Sequence, residues 1–203
     1  MKPESGQRPR RGPPRKTEQG ARERITAVAS DLFYREGIRA TGVDTIAEQS
    51  GVSKTSLYRV FESKDELIAE YAREHDRRFW EKWNRNAAKH EGQPAKQLTA
   101  FLNGVAERIG EASYRGCPFM NIAIELPDDQ HPARLIATEN KLGLKRSLED
   151  IASRLSAPDP SQVADQISTL INGAYASGII TRGSVVAQNL TAAVAAILPK
   201  GRK

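Results

Sequence analysis

The chain has 203 residues, 38% of them hydrophobic, with 31 Lys or Arg against 25 Asp or Glu and a formal net charge of +6. That length can bury a sizeable core and suits one small and one larger domain, while no stretch has the apolar length of a membrane span. A single cysteine, Cys117, excludes an intrachain disulfide and a cysteine-built zinc cluster and agrees with a cytoplasmic location.

Charge is unevenly placed. Residues 1–24 carry eight Lys or Arg against three Glu, so most of the positive excess sits at the N-terminus. Residues 1–20 are rich in Pro, Gly and Arg and read as a disordered basic arm, without the apolar core of a signal peptide. Arg8, Arg10, Arg11, Arg15 and Lys16 are candidates for phosphate or minor-groove contacts on DNA. A solubilising tail is the other reading of the same composition.

From residue 21 the pattern becomes helical. Ile25, Val28, Ala29, Leu32 and Phe33 recur at i, i+3, i+4, i+7 and i+8, an amphipathic helix that Gly37 ends. Two short helices then flank a glycine. The first, over 43–50, turns Val43, Ile46 and Ala47 inward; Gly51 supplies the left-handed turn. Ser53 caps the second, which buries Leu57, Val60 and Phe61. Lys54, Thr55, Ser56, Tyr58 and Arg59 are left facing outward, as a helix that reads the major groove requires. Downstream, Ser63-Lys64-Asp65-Glu66 has the form of a capping box, and Lys64 beside the free N–H groups of a helix start is a candidate phosphate clamp.

The remaining chain also reads as helices. One runs from Glu66 to about His90 with Leu67, Ile68, Tyr71, Phe79, Trp80 and Trp83. After a break at 92–94 comes another, with Leu98, Phe101, Leu102, Val105 and Ile109 on one face. Residues 115–121 lead into a short apolar helix ending near Pro127. Pro132 suits the first turn of a helix that aligns Leu144, Leu148, Ile151, Ala152 and Leu155, and residues 156–161 stop it. The last two helices, over 161–177 and 184–198, carry stripes at Val163, Ile167, Leu170, Ile171 and Ala174, and at Val186, Leu190, Val194 and Ile197. The predicted fold is all-α. His75, His90 and His131 are dispersed, with no triad, carboxylate dyad, P-loop or HExxH pattern, so neither an enzyme nor a cofactor is expected. Asp128 or Asp129 beside His131 is explained by helix capping rather than by metal.

Phe33, Gly37, Thr41, Val43, Ile46, Ala47, the Gly51-Val52-Ser53-Lys54 turn, Leu57-Tyr58, Phe61 and Ser63-Lys64 together resemble the DNA-binding domain of the TetR family of transcriptional regulators, over roughly residues 21–70. Gly42 departs from the pattern, standing where the family usually has a hydroxyl residue that caps the second helix and touches a phosphate; Thr41 with Asp44 is the alternative cap, and both Thr41 and Gly42 are candidate DNA contacts. The Gly116-Cys117-Pro118-Phe119-Met120-Asn121 segment is similar to one TetR-type subgroup.

The resemblance implies about nine helices: a helix-turn-helix domain over 21–66, then a bundle over 67–203 for ligand binding and dimerisation. It implies a homodimer held by the striped faces of the last two helices, reading a palindromic double-stranded operator. It also implies a cavity for a small apolar effector, for which Trp80, Trp83, Phe101, Val105, Cys117, Phe119, Met120 and Tyr175 are the candidates. A repressor released by its effector is the expected function. The alternative, a constitutive or architectural DNA-binding protein, predicts a filled C-terminal core instead. Cys117 is open to two readings, a redox trigger or a small buried apolar residue.

Overall fold

A computed structural model of the chain describes residues 16–181 and 184–199. Among these residues there are nine helices and no strand: α1 (Lys16–Arg35), α2 (Val43–Gln49), α3 (Lys54–Val60), α4 (Lys64–Lys89), α5 (Pro94–Gly110), α6 (Pro118–Glu125), α7 (Pro132–Arg154), α8 (Pro160–Ile180) and α9 (Ser184–Ile197). No helix of this portion is long and apolar enough to cross a membrane.

Helix boundaries follow local chemistry. The Ser53 side chain accepts from Ser56 N–H at the start of α3, and that of Ser63 from Glu66 N–H at the start of α4, each satisfying a donor that the helix itself leaves unpaired. Helices α5 to α8 each open on a proline, where the missing N–H costs nothing. Gly51 takes φ 65° between α2 and α3, a backbone region that residues with a Cβ avoid.

Two boundaries differ from expectation. Helix α1 begins at Lys16 rather than after Gly20, because Lys16 to Gln19 contains no proline and consists of residues a helix tolerates; the arm therefore loses its last five residues to α1. Arg8, Arg10, Arg11 and Arg15 lie outside the described residues. Helix α2 takes Gly42 as its N-cap with no side-chain hydrogen bond, so neither Thr41 nor Asp44 caps it.

Burial forms two clusters. The first gathers Ile25, Leu32, Phe33, Ile46, Leu57 and Phe61 from α1–α3 with Leu67, Ile68 and Tyr71 of α4, and it continues into Cys117, Phe119 and Ile122. It thus crosses the division expected at residue 66, which falls inside the first turn of α4. The second is built from α5, α7, α8 and α9 around Leu102, Leu148, Ile151, Ala164 and Ile167. Phe79 and Tyr175 pack against both clusters.

The stripes expected to form a dimer interface are core of this chain. Val163, Ile167, Ile171, Ala174, Leu190 and Val194 are buried, and Leu170, Val186 and Ile197 pack half-buried against the same cluster. A helical apolar stripe specifies only that a face is covered, and α5 and α7 cover this one.

Candidate functional site

The reading head is assembled by contacts that run between its helices. Arg22 of α1 donates to the Val60 carbonyl at 3.3 Å, lies 4.4 Å from the Phe61 ring centroid and pairs with Glu70 of α4 at 3.5 Å. Its guanidinium therefore fastens α3 and α4 to α1, a role that nothing in its sequence context signals. Ser50, buried in the turn, donates to the carbonyls of Ile46 and Ala47.

On α3, Lys54, Thr55, Tyr58 and Arg59 are exposed, Tyr58 by 42%, whereas Ser56 is half-buried and accepts from the Ser53 hydroxyl at 2.9 Å. Lys54 is paired with Asp44 of α2 at 2.8 Å, and that hydrogen-bonded carboxylate raises the lysine's pKa. Gly42 is exposed beside the head of α2, next to Arg39 in the same connector.

Two expected DNA contacts are turned inward. Thr41 is 2% exposed, and its hydroxyl donates to the Gly37 carbonyl at 2.7 Å. Lys64 is half-buried and donates to the Ile38 carbonyl at 2.7 Å, with burial lowering its pKa. Both side chains hold the α1–α2 connector by bonding carbonyls within it, Gly37, which also accepts the Thr41 backbone N–H, and Ile38. Burial removes Thr41 from the expected set.

Behind the head, α4, α5, α6, α7 and α8 enclose a cavity of about 330 Å³. Six of the eight expected residues line it: Trp83, Phe101, Val105, Cys117, Phe119 and Tyr175. Phe79 completes an aromatic wall, stacked on Trp83 at 6.4 Å between centroids and edge-on to Phe101 and Phe119. Two of the eight lie elsewhere. Met120 packs on the first cluster, one residue round α6 from the cavity wall. Trp80 faces a separate, wider hollow of about 680 Å³ together with Asp76, Glu139, Gly143 and Asp150. It turns that way because α7 presents Gly143 there, where an added Cβ would come within 2.7 Å of the indole, and because Asp76 accepts its N–H at 3.0 Å.

The cavity's polar groups were not foreseen. Arg78 and Lys82 of α4, Arg108 of α5 and Lys141 of α7 line it with His75, and no Asp or Glu does. Desolvation, reinforced by the positive charges of Arg78 and Arg108, pushes the His75 pKa down to about 4, so the imidazole is neutral at pH 7. Its ring lies edge-on to Tyr71 at 4.7 Å. The spacing of 78 to 82 places two cations one turn apart on α4, but only the fold brings Arg108 and Lys141 to them.

Head and cavity are directly joined. The Tyr34 hydroxyl of α1 donates to the Gly116 carbonyl at 3.0 Å and accepts from Arg115 N–H at 2.9 Å, in the loop that lines the cavity at Gly116 and Cys117. Glu125, at the far end of α6, accepts from Arg39 N–H in the connector at 3.0 Å. Its carboxylate comes within 3.2 Å of where a Cβ on Gly37 would stand, so only glycine admits this approach at φ 103°. His131 caps α7 by accepting from Ala133 N–H, the role expected of Asp128 or Asp129, while Asp129 pairs with Arg134 at 2.8 Å.

Residues 25–71 match the family model described as bacterial regulatory proteins, tetR family. Among solved structures, the chain is similar to a putative TetR transcriptional regulator from Streptomyces avermitilis, with 31% identity, TM-score 0.74, and coverage of 87% of this chain and 97% of the other. It is also similar to a TetR-family transcriptional regulator from Streptomyces coelicolor, with 25% identity, TM-score 0.84, and coverage of 88% and 94%. The transcriptional regulator YjdC of Escherichia coli (strain K12) is 25% identical over 162 residues, 79% of this chain and 84% of that protein. With the exposed face of α3 and the tie-points of the head in place, these likenesses identify the chain as a DNA-binding transcriptional regulator belonging to the TetR family.

Proposed function

We propose that the protein is a homodimeric repressor that leaves a near-palindromic operator when a small molecule occupies the cavity. The observation that carries this reading is the pair of hydrogen-bonded ties, Tyr34 to the Arg115–Gly116 loop and Glu125 to Arg39, which link cavity walls to the reading head. A ligand that favours the conformation with displaced walls shifts the head by its differential affinity for the two states; about 3 kcal/mol of coupling weakens operator binding ~150-fold.

Thr55, Ser56 and Tyr58 meet base edges, Lys54 and Arg59 meet phosphates, and Gly42 lets the backbone before α2 approach the DNA. The basic arm adds contacts from Arg8, Arg10, Arg11 and Arg15, with Lys16 at its junction to α1. A second copy docks along the outward faces of α8 and α9, where Gly173, Ala176, Ala192 and Ala195 are exposed and Ile180 and Val185, 83% and 65% exposed, mark the hairpin end. Two copies place their α3 helices about 34–36 Å apart, one turn of DNA.

The test is binding of the purified protein to the region upstream of its own gene, with unrelated competitor DNA and a panel of small molecules. Competitor-resistant binding that one compound releases supports the proposal; binding no tighter than to competitor, whatever is added, rejects it in favour of an architectural role.

A further inference from the structure

The charge inside the cavity is one-sided. Of its four cations, Arg78 pairs with Glu74 at 2.7 Å and Arg108 pairs with Glu111. Lys82 and Lys141 have no carboxylate partner among the described residues: Lys141 donates to the neutral Asn172 amide at 2.8 Å and stands 5.5 Å from the Tyr175 ring centroid. The Lys82 ammonium lies across Gly104 of α5, 3.1 Å from the position a Cβ would take, so the absence of a side chain there lets the charge reach the cavity wall. A third group is also unsatisfied, for the buried Nε2 of His75 has no hydrogen-bond partner.

From this arrangement we infer that the cavity takes an organic anion, a carboxylate carried on an aromatic body of about two rings. The inference rests on the proposed effector role and names its chemistry. Lys82 and Lys141 supply charge-assisted hydrogen bonds to the carboxylate, and a recess of one sign between low-dielectric walls concentrates the matching ion. The rings of Phe79, Phe101 and Phe119 offer faces and edges to the aromatic part. Size agrees: about 330 Å³ is roughly twice the 150 Å³ cavity that holds one benzene. A cationic ligand would meet two ammonium groups without a carboxylate partner, and the only other charges on the lining are two paired arginines, which disfavours it.

The experiment compares three probes of one shape, 2-naphthoate, 2-naphthamide and 2-naphthylmethylamine, by quenching of tryptophan fluorescence from Trp83 and by calorimetry, on the full chain. Naphthoate is expected to bind roughly tenfold or more tighter than the amide, and the amine weakest of all. Lys82→Met and Lys141→Met should each lower naphthoate affinity by more than amide affinity and so reduce that preference; Lys82 is exposed, so its variant should keep the fold even where the other does not. Equal binding of acid and amide, tighter binding of the amine, or binding of none of the three overturns the inference. Operator release is read separately. Naphthoate that binds without releasing operator leaves the anion site standing and removes the repressor-release reading.

Discussion

Two hollows meet back to back in the body, sharing Trp83 and Asn140 as a common wall. The wider one contains three carboxylates, and each is already answered from within the chain. Asp76 accepts from both Trp80 and Asn140, Glu139 pairs with Arg146, and Asp150 pairs with Arg154 at 3.2 Å. The narrower one holds two ammonium groups without a carboxylate and a buried imidazole nitrogen without a partner. Volume alone would point to the wider hollow. The His75 nitrogen carries a cost of desolvation, being buried without a partner, whereas Lys82 is exposed and Lys141 donates to Asn172; the contrast between the hollows is one of charge balance.

The largest expected effect tests the aromatic wall. Phe79→Ala removes a ring that packs on both clusters and four other aromatic side chains, and should lower stability by about 3 kcal/mol. Thermal unfolding should then shift by roughly 6–12 °C for a chain of this size.

The imidazole gives the next largest effect. Its folded pKa of about 4 lies below the ordinary ~6.5 that it regains on unfolding. Above that upper value both states are neutral and nothing changes. Between the two values the unfolded chain takes a proton that the folded one refuses, so stability falls as pH falls, by on the order of 3 kcal/mol in all. His75→Phe should flatten this part of the pH–stability curve in denaturant titrations; an unchanged slope would mean that the cavity does not hold the ring neutral.

The other hollow supplies the control. Gly143→Ala forces the Trp80 indole aside and should destabilise by about 1–2 kcal/mol, yet lower naphthoate affinity less than Lys82→Met does, since Gly143 lines only the wider hollow and reaches the other through the shared Trp83 and Asn140. A large loss of affinity would place the ligand in the wider hollow instead. The smallest effect concerns transmission. Glu125→Ala, which deletes the acceptor for Arg39 N–H, should leave ligand affinity intact and reduce ligand-driven operator release by about 1 kcal/mol of coupling, measured as the ratio of operator affinities with and without ligand.

The reading head was legible because its signals are local. Ser53, Gly51 and Ser63 each act within four residues of their own position, so the turn and both caps could be read from spacing. Thr41 and Lys64 turned otherwise than expected for two reasons: the Thr41 hydroxyl takes the Gly37 carbonyl one turn back, a local bond that competes with an outward role, whereas the Lys64 ammonium reaches an Ile38 carbonyl that only the fold brings close. The aromatic half of the cavity was visible as large side chains on apolar faces, and most of it was named. Its cationic half was hidden. Arg78, Lys82, Arg108 and Lys141 sit where solvated surface charge is the default, and only packing of α4, α5 and α7 turns them toward one space. The stripes of α8 and α9 failed differently, since periodicity reports that a face is covered but not by which chain.

One oxygen atom links the hollow to the helices that hold α3. The Tyr34 phenol is bonded on both sides, to the Arg115 amide and the Gly116 carbonyl, while the Arg108 guanidinium rests 5.1 Å from its ring centroid. Because a single atom makes both bonds, any shift of that loop beyond hydrogen-bonding range releases them together. The joint therefore couples the loop to α1 through a single group. Arg108 stands on both sides of it, over the latch and in the cavity wall. Under the proposed release mechanism, an anion that draws the guanidinium inward would remove its attraction to the ring in the same movement.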